Sequence, residues 1–145
     1  MREMVAATKP LLSQPEQHLY GRLVRAFPGH VILAHVPLLR FLSVDSAATA
    51  TEVQAITNRY KHSVADFVIC RPDFTAVAVI ELEDRAKPRD GQGDRLRRRD
   101  QFLHAAGVKV VRVATNDIPN EPALKALVAA LPLSSPGTPP LQRVS

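Results

Sequence analysis

The stretch Val64–Asp84, VADFVICRPDFTAVAVIELED, decides how this chain folds. Two apolar runs, Phe67–Cys70 and Ala76–Leu82, flank Pro72, Asp73, Phe74 and Thr75, a cluster that favours a turn. With those four as the loop of a β-hairpin, Arg71 pairs with Ala76, and the register steps outward to set Asp66 opposite Glu81. Side chains alternate along a strand, so Glu83 shares the face of Glu81. Directly opposed residues have Cβ atoms roughly 4.5–5.5 Å apart, and like charges so placed repel. Carboxylates at Asp66, Glu81 and Glu83, beside Val68, Val77 and Val79, need compensation, and a divalent cation is the simplest form of it. The other form is a solvated hairpin end at which Arg85, Arg95, Arg98 and Arg99 neutralise the acids one by one.

Upstream, Ser13-Gln14-Pro15-Glu16 has the form of a capping box, and the helix it opens runs to Phe27, where Pro28-Gly29 stops it. Helical spacing puts Glu16, Tyr20, Leu23 and Phe27 on the inward stripe. His30–Val36 reads as an apolar strand ended by Pro37. Residues 43–63 show no firm period and read as loop, with a short helix near Glu52–Ile56. Downstream, a charged loop from Arg85 to Gly93 leads into a helix over Asp94–Ala106, closed by Gly107 in the left-handed conformation. Val108–Ala114 is a further strand. Asn120 caps a last helix that reaches Leu131, with Leu124, Leu127, Val128 and Leu131 on one side, and Pro132 stops it. The helix between Glu83 and Val108 is a crossover, so the last strand is predicted to run parallel to the one beginning at Ala76. The expected fold is a single α/β domain over residues 13–131: a mixed four-stranded sheet in helix–strand–hairpin–helix–strand order, flanked by helices. Residues 1–12 read as a loose arm and 132–145 as a disordered Pro/Ser-rich tail.

A chain of 145 residues with an apolar share of 46% suits one core. The net charge of +5 suits an anionic partner, and equally the arginine-rich surface of a protein without one. The single cysteine, Cys70, excludes an internal disulfide and points to a reducing, cytoplasmic setting. Its simplest role is a small buried side chain rather than a nucleophile. No apolar run nears the roughly 18 residues of a membrane span, and no signal-peptide core is expected at the N-terminus. The histidines lack zinc spacing and there is no cysteine pair. Nor is there a glycine-rich phosphate loop, which argues against nucleotide hydrolysis of that kind.

The element order, with Asp opening one hairpin arm and Glu-x-Glu closing the other, resembles the PD-(D/E)XK restriction-endonuclease-like superfamily. More narrowly, the wording Leu12-Ser13-x-x-Glu16-x-x-Leu19-Tyr20, Val64-Ala65-Asp66-Phe67-Val68 and Ile80-Glu81-Leu82-Glu83-Asp84 is similar to a bacterial domain of unknown function grouped with those proteins. Arg99-Asp100, Ala106-Gly107 and Val111-Arg112-Val113 continue the similarity, which covers residues 11–115. The resemblance implies that Asp66 and Glu81 bind Mg²⁺ or Mn²⁺, that Glu83 assists with metal or water, and that the substrate is nucleic acid, DNA above all. It also implies a metal role for Glu16, as first-helix acids complete the site in some relatives, although capping alone explains that residue. Two departures stand out. Glu83 occupies the place where the superfamily typically has Lys. The narrower family reads Glu-Leu-Asp-Asp-x-Ser-His, so Lys87 stands where His is usual, either offsetting phosphate charge or simply solvated. Without the Lys, a non-catalytic nucleic-acid-binding or protein-interaction module on the same fold is the alternative.

Arg85–Arg99 carries seven basic residues against Asp84, Asp90 and Asp94. With Leu96, Leu103 and Ala106 on the packed side of the helix, Arg95, Arg98 and Arg99 are expected to face outward. Together with Lys87 they form the candidate nucleic-acid contact, since guanidinium forks suit phosphate oxygens. A solvated helix face with an Asp94–Arg98 pair is the plainer reading. Trp is absent and Tyr and Phe are few, which disfavours a single-strand binder built on stacking platforms.

Overall fold

The hairpin forms, and a four-stranded sheet is built around it. The computed structural model describes residues 3–85 and 93–130. In chain order the elements are α1 (Gln14–Ala26), β1 (Val31–Pro37), α2 (Leu38–Phe41), α3 (Ala50–Tyr60), β2 (Val64–Cys70), β3 (Ala76–Glu83), α4 (Gly93–Ala105), β4 (Lys109–Ala114) and α5 (Glu121–Ala130). Strands lie in the order β1-β2-β3-β4. The first three are antiparallel neighbours, and β4 joins β3 in parallel after the α4 crossover, so the sheet is mixed as expected.

The β2–β3 register pairs Phe67 with Ile80, Val68 with Val79 and Ile69 with Ala78, which continues outward to Asp66 opposite Glu81. The turn end departs from expectation. Cys70, not Arg71, pairs with Ala76, and a bulge between Ile69 and Cys70 absorbs the extra residue. Arg71 N–H donates to Thr75 C=O, Asp73 accepts from the Thr75 N–H, and Phe74 takes a left-handed φ of 67°. The bulge leaves the acidic end of the hairpin in its expected register, because the apolar alternation there is what fixes it.

Each sheet face carries its own core. On one, Phe67, Ile69, Ala78, Ile80, Val111 and Val113 pack against Leu19, Leu23 and Ala26 of α1 and Leu124 and Val128 of α5. On the other, Val68, Cys70, Val79 and Val110 pack against Leu38, Leu42, Tyr60 and, from α4, Leu103. The stripe of α1 is therefore centred on Leu19, Leu23 and Ala26, since this helix meets both β1 and α5. Glu16 lies at its margin and Tyr20 stays exposed. On α5, Leu127 is exposed rather than packed, and Leu131 lies outside the described residues.

Within residues 43–63 the expected short helix near Glu52–Ile56 is the longer α3, and α2 follows Pro37 just before that segment. Thr49 starts α3 by accepting a hydrogen bond from the Glu52 N–H. At the end of α4, Gly107 has a φ of +80°, Gly107 N–H donates to His104 C=O, and Val108 N–H donates to Leu103 C=O. That is a Schellman closure, and it delivers the chain straight into β4. Among the described residues, no helix is long and apolar enough to cross a membrane.

At the start of α1 the capping box is complete: Glu16 N–H donates to Ser13 Oγ at 3.3 Å, and Ser13 N–H donates to Glu16 Oε1 at 2.8 Å. Ser13→Ala removes one half of it and is expected to cost about 1 kcal/mol in urea denaturation. An unchanged midpoint would show that Pro15 and the packed stripe hold this helix end unaided.

Candidate functional site

Beyond Phe67 and Ile80 the β2–β3 ladder gives way to side chains. Asp66 N–H donates to Glu81 Oε2 at 3.1 Å, and Leu82 N–H donates to Asp66 Oδ2 at 2.8 Å. Each carboxylate thus takes a strand N–H that would otherwise lack an acceptor at the fork. The acids are held by strand geometry rather than by loop chemistry, and Glu81 is 9% exposed.

The Glu81 carboxylate also meets α4. Arg99 is itself 9% exposed and not outward as expected. Its Nε donates to Ser63 Oγ at 2.9 Å, its Nη2 donates to Val64 C=O at 3.1 Å, and the same Nη2 lies 2.5 Å from Glu81 Oε1. That last approach is an ion pair without hydrogen-bond alignment, so the sealed Oε1 oxygen keeps an unsatisfied acceptor. Arg99 turns inward because it sits three residues after Leu96 and four before Leu103, on the helix's packed side.

On the other flank of Glu81, β4 places Arg112 in register with it. Arg112 grips Asp100 through two 2.7 Å hydrogen bonds, one to each carboxylate oxygen. The Asp100 bond foremost, with help from the Glu81 charge, pushes the Arg112 pKa up. Strand alternation puts Asp66, Glu81 and Arg112 in a row across three strands, on the face covered by α4. Burial pushes the Glu81 carboxyl up to about 7, Arg99 opposes the shift, and the Asp66 charge adds to it.

The four expected acids do not assemble as one ligand set. Among the described residues, no group of three or more His, Cys, Asp and Glu side chains is placed to hold a metal ion. Glu16 is engaged by Ser13 and by His35, whose left-handed φ of 53° turns its backbone within β1. Burial alone would raise the Glu16 carboxyl, yet the hydrogen bonds from His35 and Ser13 outweigh it and hold it below its ordinary range. Glu83 lies one strand step beyond Glu81 on β3, in register with Ala114. Cys70 is buried, and burial followed by the Asp73 charge pushes its thiol up, which suits a core side chain and not a nucleophile.

Of the expected basic contacts, Arg95 and Arg98 are exposed on α4, and Lys87 lies outside the described residues. Asp94 contacts Arg97 at 3.6 Å in place of the expected Arg98. Sequence reasoning missed the Ser63–Arg99 anchor, the Arg112–Asp100 fork and Arg59, which lines a cleft with Arg95, Arg98 and Arg99.

A family model described as "Protein of unknown function (DUF2726)" matches residues 8–131 of the chain. No curated protein and no solved structure matches it.

Proposed function

The chain belongs to the DUF2726 family, and from that premise we propose that it is a nuclease-type domain that hydrolyses phosphodiester bonds of nucleic acid, DNA above all, with Mg²⁺ or Mn²⁺. The observation that carries this reading is the meeting of the Asp66 and Glu81 carboxylates at the β2–β3 fork. Two oxygen donors on neighbouring strands suit a hard cation that takes one or two carboxylates and completes its shell with water and substrate phosphate. Glu81 Oε1 is buried with the Arg99 guanidinium against it, so a cation there would share or displace that contact. Asp66 and Glu81 would hold the cation, with Glu83 next along β3; Glu16, committed to Ser13 and His35, is left out of the set. A cation held there supplies polarisation of a phosphate oxygen and a lowered pKa for bound water.

The protein's own contribution is orientation and charge. The strand N–H groups of Asp66 and Leu82 fix the two carboxylates. Arg99 brings to Glu81 the positive charge that the Glu83 position does not provide. Arg112, anchored by Asp100, adds a second cation beside Glu81.

One observation favours a second reading, a nucleic-acid-binding module without chemistry: Arg99 already sits against Glu81 Oε1, so the guanidinium competes for that oxygen. Supercoiled plasmid incubated with the full chain and Mg²⁺ or Mn²⁺ separates the two. The nuclease reading expects nicking by the parent protein that is lost in Asp66→Ala and in Glu81→Ala. Equal nicking by all three, or none with either metal, removes it. DNA retained without nicking, and retained equally by Glu81→Ala, supports the second reading.

A further inference from the structure

A cleft of ≈ 650 Å³ lies between α3 and α4, within the range of ligand-binding sites. Arg59, Tyr60 and His62 line one wall, and Arg95, Arg98 and Arg99 line the other. Among the described residues, four guanidinium groups thus line the cleft with one carboxylate, Asp94, whose charge is shared with Arg97. Arg59, Arg95 and Arg98 are exposed, and none of them takes part in an ion pair among the described residues. Unpaired arginines converging from two separate helices raise the local positive potential, and their planar forks match phosphate oxygens.

The walls are tied together before any ligand arrives. Tyr60 Oη donates to the Arg98 C=O at 3.3 Å, and the Tyr60 ring stacks on Phe102 with centroids 4.5 Å apart and planes 6° from parallel. Arg99 adds its bond to Ser63. The stack decides what the cleft can read. Among the described residues its rings are Tyr60, which is 7% exposed with a face committed to Phe102, and the smaller imidazole of His62. A nucleobase therefore finds at most one imidazole to stack on there, whereas phosphates find the three exposed guanidinium groups of Arg59, Arg95 and Arg98.

We infer that the α3/α4 cleft holds the sugar–phosphate backbone of a nucleic acid, with Arg59, Arg95 and Arg98 pairing its phosphates, and binds it without regard to base sequence. The inference rests on the nucleic-acid substrate proposed above but not on hydrolysis. Arg99 lies at once in the cleft wall and against Glu81, so a backbone seated in the cleft runs up to the acidic pair.

The test is fluorescence anisotropy of labelled duplex DNA with the full chain, in chelator so that cleavage plays no part, across a salt series. Arg59→Ser and Arg98→Ser remove exposed side chains and are compared with Lys125→Ser, an equal charge loss on α5 at the opposite sheet face. Each cleft variant is expected to weaken binding about five- to tenfold and to reduce the slope of log K against log salt by about 1, equally on AT-rich and GC-rich duplexes. Lys125→Ser is expected to change neither quantity appreciably. Three results overturn the inference: no binding by the parent chain at low salt, a Lys125→Ser loss as large as the cleft losses, or more than tenfold discrimination between duplex sequences. If binding behaves as expected while plasmid nicking with metal fails, the backbone cleft stands and only the hydrolytic reading falls.

Discussion

Replacing Arg99 with methionine is expected to destabilise the protein by about 3–5 kcal/mol at pH 8, a fall of about 10–15 °C in melting temperature. The size follows from what is left behind. Arg99 and Glu81 are each 9% exposed, and the guanidinium holds Glu81, Ser63 and the Val64 carbonyl together. Methionine fills much of the space but strands a buried carboxylate, which costs more than the pair itself contributes. The penalty has a pH signature. Arg99 opposes the upward shift of the Glu81 carboxyl, so the variant's carboxyl titrates above the parent's value of about 7. At pH 5 both proteins carry a protonated Glu81 when folded, and only the lost bonds to Ser63 and Val64 remain as cost. Urea denaturation at pH 5 and pH 8 should therefore show a clearly smaller deficit at the lower pH. Pairing the change with Glu81→Gln should recover part of the loss at pH 8. A deficit identical at both pH values would mean that Arg99 acts by packing alone.

What the sequence disclosed and what it concealed follow from one distinction. The Asp66–Glu81 juxtaposition was legible because two-residue periodicity leaves a half-buried hairpin one register, and the apolar sets of β2 and β3 specify it. The turn misled by one residue because a bulge is a local backbone choice with no hydrophobic pattern to announce it. The Ala/Thr-rich composition of α3 hid its length, so that only Glu52–Ile56 was read as helix, although Thr49-Ala50-Thr51-Glu52 has the same capping form that correctly placed the start of α1. Arg99 was read as outward because arginine is ordinarily a surface residue. Its spacing from Leu96 and Leu103 placed it on the packed stripe, and a buried acid on the facing strand was already in view. Arg112–Asp100 joins the consecutive elements α4 and β4, and the Arg59 wall sets α3 against α4; both depend on how elements pack together, which no spacing rule within one element reports. Arg99 from α4 and Arg112 from β4 bring protein charge to Glu81, so a cation at the fork would compete with Arg99.

That competition sets the second large effect, the dependence of stability on pH through Glu81. Its carboxyl is pushed from 4.5 to about 7 by burial, against Arg99, and with the added repulsion of Asp66. A carboxyl raised in the folded state binds its proton more tightly there than in the unfolded chain. Its contribution is complete below pH 4.5 and is lost as the pH rises through about 7, a change of about 3 kcal/mol. Other acids titrate too, and Glu16, held low by its hydrogen bonds, works in the opposite direction. The informative quantity is accordingly the gap between the parent protein and Glu81→Gln, measured by denaturation from pH 4.5 to 8.5. It should move in favour of the glutamine variant by about 3 kcal/mol across that range, and a flat gap would place the Glu81 titration at an ordinary carboxylate pH. A cation at the fork and a proton on Glu81 exclude one another, so Mn²⁺ should raise the parent's melting temperature more at pH 8 than at pH 6. The same rise should vanish in Glu81→Gln and in Asp66→Asn. Full pH dependence with no Mn²⁺ response at either pH would leave Arg99 and Arg112 as the counter-charges of Glu81 and turn the reading of this domain from hydrolysis to binding.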